Sequence, residues 1–170
     1  MATSLKEFAA ECHRLLSENP GPEGRETVRQ ALEKALVDEA FVAENLGPDN
    51  DSPRKVLFED PELGFCILAH VRTGADESKP HDHGPTWAIY GQAVGVTEMT
   101  DWRKLKPAED GKPGVVEPVQ TYPLKPGMAK VYNEGELHSP RREGETRLIR
   151  IEGQNMATVK RDCYEAVAAS

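Results

Sequence analysis

Two histidines one residue apart, His81-Asp82-His83, are the part of this chain whose types and spacing could do chemistry. On a strand successive side chains alternate faces, so residues at i and i+2 project to the same side and can share one ion. Neutral imidazole is the commonest nitrogen ligand for Zn, Fe, Ni and Cu. Defined coordination needs a third ligand, and His138, within the β-rich Glu136-Leu137-His138-Ser139, is the best candidate because a barrel interior brings distant strands together. The plainer reading of the pair is a solvated turn with acidic neighbours. Asp82 falls on the face opposite its two neighbours, which makes it a surface group or a support for the ligands.

Other residues stand beside this constellation with two readings each. His70, in the apolar Leu68-Ala69-His70-Val71, is a structural histidine or a fourth ligand. His13 lies on the first helix and reads as a surface residue. Tyr90 and Tyr132 line a pocket or pack inward. Arg150 and Glu152 share one strand face by the period of two, as an internal ion pair or a barrel-surface pair.

Composition narrows the partners. The 170 residues carry 21 Lys+Arg against 29 Asp+Glu, a net charge of −8. No window clusters the basic residues that phosphate backbones or anionic membrane surfaces require, so neither nucleic acid nor membrane is expected. No apolar stretch approaches the ~20 residues of a transmembrane helix. The N-terminal residues lack a basic segment followed by an apolar one, so a cytoplasmic location is expected. Cys12, Cys66 and Cys163 are odd in number and widely spaced, with no CxxC, which fits packed or surface thiols better than disulfides or a thiolate zinc site. No Gly-rich phosphate loop, GxSxG elbow or HExxH helix occurs.

The elements that must position these residues change character near residue 50. Residues 1–50 read as a helical segment packed on the rest. Ser4-Leu5-Lys6-Glu7 is a capping box, followed by Leu5, Phe8, Ala9, Cys12, Leu15 and Leu16 at helical spacing until Asn19-Pro20-Gly21-Pro22 ends the run. A second helical face carries Val28, Ala31, Leu32, Ala35 and Leu36, and Asp38 caps a separate last segment ending at Leu46. Gly47 to Pro53 is turn chemistry throughout and reads as a connector. Residues 51–170 read as short strands around Val56–Phe58, Gly64–Val71, Thr86–Ala93, Val94–Met99, Val116–Tyr122, Met128–Tyr132 and Arg147–Ile151, with turns between them. The expected class is mainly β, a barrel or sandwich with leading helices in one structural domain. The tail from Met156 to Ser170 reads as a last strand followed by a helical turn.

Pro80-His81-Asp82-His83-Gly84, then Trp87 to Gly91, Gly95-Val96-Thr97-Glu98, Pro126-Gly127 and His138 resemble the two metal-binding motifs of the cupins, over roughly residues 54 to 153. The order is closest to the cysteine dioxygenase branch. The resemblance implies a double-stranded β-helix (jelly-roll) barrel in which His81, His83 and His138 form a three-histidine facial site, usually filled by Fe(II), with Zn, Ni or Mn as alternatives. The common cupin pattern places a Glu ligand where this chain has Trp87 and Ala88. An all-imidazole site leaves the ion's two charges uncompensated, which favours a small anionic substrate, with a thiol among the candidates, and leaves positions for substrate and O2.

The chain also departs from the branch. Its Ser-x-His-x-Tyr stretch is missing, and Arg150 and Glu152 occupy the His and Tyr places. Ala88 stands about where some members carry a crosslinking Cys. By resemblance Arg54, or equally Lys55, matches the Arg that holds a substrate carboxylate. Glu98 is a strand-end hydrogen bonder or a ligand. The resemblance thus implies an iron-dependent dioxygenase, with Arg54 or Arg150 pairing with the substrate. The alternatives are a metal-dependent isomerase, lyase or hydrolase with Glu152 as proton carrier, or a non-catalytic ligand-binding cupin.

Overall fold

Three helices precede ten short strands in the computed structural model, which describes residues 3–167. Helix α1 (Leu5–Glu18) starts at Ser4, whose hydroxyl accepts from Glu7 N–H while the Glu7 carboxylate accepts from Ser4 N–H. Helix α2 (Pro22–Leu36) opens with proline, which supplies no amide where none is needed. Helix α3 (Glu39–Leu46) is capped by Asp38, as expected. The connector after it is held by Arg147, whose Nη1 donates to the carbonyls of Leu46, Gly47 and Asn50 at 2.8 to 3.1 Å. Among the described residues no helix is long and apolar enough to cross a membrane.

The remainder is a jelly-roll barrel of two five-stranded sheets. The first sheet has the order β1 (Lys55–Glu59), β2 (Cys66–Arg72), β9 (Thr146–Glu152), β4 (Ala88–Val94), β7 (Ala129–Tyr132). The second has the order β10 (Tyr164–Ala166), β6 (Gly114–Leu124), β5 (Thr97–Lys106), β8 (Leu137–Arg142), β3 (Asp76–Glu77). Every pairing is antiparallel except β10 with β6.

Period-two alternation divides the first sheet. Ile67, Ala69, Ile89, Ile149 and Ile151 join Phe8, Val28, Leu32 and Phe41 in a core between sheet and helices. Helix α2 comes close because Gly91 has no side chain: a Cβ there would lie 2.6 Å from Leu32 Cδ2 and 2.8 Å from Leu36 Cδ1. The opposite face of the sheet looks into the barrel. Ala88, Tyr90, Met99, Leu124 and Tyr132 form a smaller apolar cluster there.

Two expectations about elements are corrected. Strand β5 runs to Lys106 rather than stopping at Met99, with Gly95 (φ +74°) making the turn before it. Its second half, Asp101 to Lys106, is exposed or half-buried, so hydrophobic alternation gives it no signature. In the tail the order is reversed: a 3-10 turn at Met156–Thr158 comes first and β10 follows. Residues 168–170 lie outside the described residues.

Candidate metal centre

The local chain around His81 and His83 is a bridge followed by a turn, which corrects the expected strand. His81 forms an isolated antiparallel bridge with His138: His81 N–H donates to the His138 carbonyl at 3.0 Å and His138 N–H to the His81 carbonyl at 2.9 Å. The chain then reverses. The Asp82 carboxylate accepts from Gly84 N–H at 2.9 Å, Gly84 adopts φ +57°, and Thr86 N–H donates to the His83 carbonyl. Asx-turn chemistry and a left-handed glycine therefore bring His83 back toward its neighbour. Asp82 is buried and caps this turn, so it is not a surface group.

One ring nitrogen from each of His81, His83 and His138 lies within 4.8 Å of the others. His81 Nδ1 is 2.8 Å from the Lys79 carbonyl and His138 Nδ1 2.9 Å from the Glu136 carbonyl. A carbonyl only accepts, so both Nδ1 atoms carry the hydrogen and both neutral rings present a bare Nε2. His83 Nε2 is 3.2 Å from His138 Nε2. Burial lowers all three histidines. It takes His81 to about 4 and holds His83 far below the ordinary range, and the nearby positive charge of Arg150 acts in the same direction on both. His138 is lowered first by burial and then by the neighbouring His81.

Converging neutral nitrogen donors, two of them with tautomers fixed by backbone carbonyls and the third, His83, with a buried Nδ1 that has no partner among the described residues, suit a divalent transition-metal ion, and the donor set fits one. The residues that would hold it are His81, His83 and His138.

The tyrosines surround this centre. The Tyr90 hydroxyl is 3.1 Å from His83 Nε2, 3.2 Å from His138 Nε2 and 3.5 Å from His81 Nε2, and burial raises its pKa. Tyr132 stacks on His138 with ring centroids 3.9 Å apart at 20°. Its hydroxyl meets that of Tyr122 at 2.5 Å, and the Tyr122 hydroxyl donates to Asp101 at 2.8 Å.

Arg150 points into the barrel, its guanidinium carbon 4.5 Å from the centroid of the Tyr90 ring. Its Nη1 is 3.4 Å from Glu152 Oε1, and Glu152 is almost fully buried, so the pair is internal. Arg54 Nη2 lies 3.5 Å from the other Glu152 oxygen and donates to the Asn155 side chain at 2.9 Å. Lys55 is exposed.

The remaining candidates lie apart. Glu98 is exposed and pairs with Arg141 at 3.8 Å. His70 is buried on the inner face of β2, outside the three-histidine cluster, and its Nε2 has no partner among the described residues. His13 is half-buried and pairs with Asp60 at 2.8 Å, which corrects its reading as a plain surface residue. Sequence reasoning missed Arg161, whose Nη1 donates to the Asp82 carbonyl at 3.2 Å. A contact between a loop side chain and a carbonyl 79 positions away leaves no periodic signal.

Neither a protein-family model nor a curated protein matches the chain. Among solved structures, KdgF from Halomonas sp. is 18% identical over 58% of this chain and 74% of its own, with a TM-score of 0.44. A cupin-2 domain protein from Shewanella frigidimarina is 18% identical over 60% and 80%, at 0.42. The Cnp3 cupin domain of Schizosaccharomyces pombe is 13% identical over 60% and 64%, at 0.45. These partial likenesses leave the chemistry to be read from the residues themselves.

Proposed function

We propose that this chain is a metal-dependent cupin enzyme whose three-histidine centre holds Fe(II) and directs O2 onto a small anionic substrate, a thiol being one candidate. One observation carries this reading. Three imidazole nitrogens converge without a carboxylate among them, and a guanidinium, Arg150, stands over the tyrosine that touches all three. The ion would supply a Lewis-acidic, redox-active point with open positions for substrate and O2.

The chain's own residues bind and orient. Arg150 pairs with an anionic group of the substrate, and its stacking on Tyr90 fixes the plane of the guanidinium. Glu152 holds Arg150 and Arg54 in place. Tyr90 offers its hydroxyl to the same space as the histidine nitrogens, and Tyr132 braces the His138 ring from outside.

An acid–base reading with Glu152 as proton carrier has less support. Arg150 approaches one oxygen of Glu152, and Arg54 and the Met156 N–H approach the other. The carboxylate is engaged as an anchor.

The test is metal analysis of protein purified without added metal, followed by oxygen consumption with a panel of anionic thiols and diketones. Iron as the main metal and substrate-dependent oxygen uptake are expected. Zinc with no uptake overturns the oxygenase reading. His138→Ala should abolish metal retention while the helical circular dichroism signal persists, and stoichiometric metal in that variant overturns the three-histidine site.

A further inference from the structure

Two rings lie nearly parallel to that of His138: Tyr132, with centroids 3.9 Å apart at 20°, and His83, at 5.1 Å and 17°. The Nδ1 hydrogen bond to the Glu136 carbonyl sets the tautomer of His138. The closer stack, on Tyr132, limits how far the ring can turn about its bond to Cβ. Tyr132 is the last residue of β7, a four-residue strand at the edge of the first sheet that pairs with β4 alone. Its hydroxyl is tied into the second sheet. Tyr122 gives its one hydroxyl hydrogen to Asp101 Oδ1 at 2.8 Å, so in the 2.5 Å contact between the two phenols Tyr132 is the donor. The other oxygen of Asp101 accepts from Gln120 Nε2 at 2.8 Å.

The register returns this chain of contacts to its starting point. Asp101 on β5 is the direct cross-strand partner of His138 on β8 and of Gln120 on β6, and Tyr122 lies two residues along β6 from Gln120. Carboxylate, phenol, phenol and imidazole thus close a circuit. Asp101, Tyr122 and His138 belong to three adjacent strands of the second sheet, and Tyr132 comes from the first. The phenol–phenol hydrogen bond therefore ties one sheet to the other beside a metal-ligand candidate. A buried phenol needs only one partner, and this one has an acceptor that is itself fixed by a carboxylate. Tyr132 and His138 are buried, whereas Tyr122 and Asp101 are half-buried, so the circuit is anchored from the rim.

We infer that Asp101 is a positioning residue for the metal centre: through the hydroxyls of Tyr122 and Tyr132 it holds the His138 ring in the orientation that presents Nε2 beside His81 and His83. This deepens the reading of the three histidines as a metal site and rests on it. Neither Asp101 nor Tyr122 belongs to the nitrogen cluster, so their influence reaches it only through the angle of the His138 ring.

Two readouts on the full chain test the assignment. In metal-free protein, proton NMR reports the stack, because His138 ring protons over the Tyr132 face are shielded. Tyr122→Phe keeps the ring and removes the hydroxyl, and it should move those signals toward their unstacked positions. Titration with cobalt(II), followed by its visible absorption, should show the same variant binding the ion about tenfold or more weakly, the usual scale for losing an outer support of a ligating histidine. Asp101→Leu should have both effects. Asp101→Asn keeps an oxygen that accepts from Tyr122 and should restore most of each. The Asp101 variants carry the test if Tyr122→Phe fails to fold. His138 signals unmoved by Tyr122→Phe and by Asp101→Leu overturn the assignment whether or not metal binds. Signals that move while cobalt affinity stays unchanged overturn it as well. An unaltered protein that takes up no cobalt overturns the metal reading instead, and the ring signals alone then decide whether Asp101 positions His138.

Discussion

Acidification tests the electrostatics of the centre most directly. His70, His81, His83 and His138 are all held below their ordinary value of 6.5, with burial the largest cause in each case. A histidine kept neutral in the fold is still protonated in the unfolded chain below pH 6.5, so the unfolded state binds more protons and stability falls as pH falls. The loss begins near 6.5 and continues down to the folded value, about 4 for His81. At pH 5.5 an unfolded histidine is about ten-to-one protonated, so each one held neutral has withdrawn about 1.4 kcal/mol relative to pH 7.5. Four such groups together withdraw about 5–6 kcal/mol, a large part of the 5–15 kcal/mol that stabilises a typical domain. Asp60 and Glu134, whose pKa values are lowered, titrate in the unfolded chain near 4 and contribute little in this window.

The assay is urea unfolding of metal-free protein at pH 7.5 and 5.5, followed by circular dichroism. The midpoint should fall by about 2 M or more. A loss under about 1.5 kcal/mol, the value of one histidine, would mean that the cluster accepts protons readily, and the account of buried neutral donors would be wrong. Added zinc should raise stability at pH 7.5 and steepen the fall, because protons and the ion compete for the same Nε2 atoms.

Two further substitutions probe the frame around the centre. Gly91→Ala drives a methyl group into Leu32 and Leu36, and it should cost about 1–3 kcal/mol in thermal or urea unfolding; an unchanged midpoint would mean that α2 does not sit on β4 as closely as described. Glu152→Gln removes the buried charge shared by Arg54 and Arg150, and it should cost about 1–3 kcal/mol and loosen the segment that follows β9, read as faster amide exchange at Met156. Unaltered exchange there would mean that Glu152 does not hold Met156.

The parts of the fold legible in the sequence are those with local chemistry. Ser4 and Asp38 announce their helices because an N-cap satisfies amides two or three residues away. Strands β2, β4 and β9 show as apolar runs because one face meets the helices while the other lines the barrel. The second half of β5 is hidden because its residues are largely exposed. At the centre, the i, i+2 spacing of His81 and His83 was visible but the expected cause of their convergence was different. The rings meet through the backbone bridge to His138 and the Asp82–Gly84 turn, neither of which has a strand's alternation. Arg161 was illegible for a related reason, since it lies between β9 and β10, where the one regular element is the turn Met156–Thr158.

The charge distribution joins these observations into one physical picture. The whole chain carries a charge of −8, so an approaching anion meets repulsion at long range. Beside the neutral imidazoles, Arg54 and Arg150 share the single carboxylate of Glu152. Salt screens the two effects unequally. At about 0.15 M the screening length is ~8 Å, which suppresses repulsion from distant surface carboxylates but leaves contacts at hydrogen-bond distance largely intact. Moderate salt should therefore speed the arrival of a small anion without abolishing its retention. A site built for a cation on the same acidic chain would behave in the opposite way, losing arrival rate as salt rises.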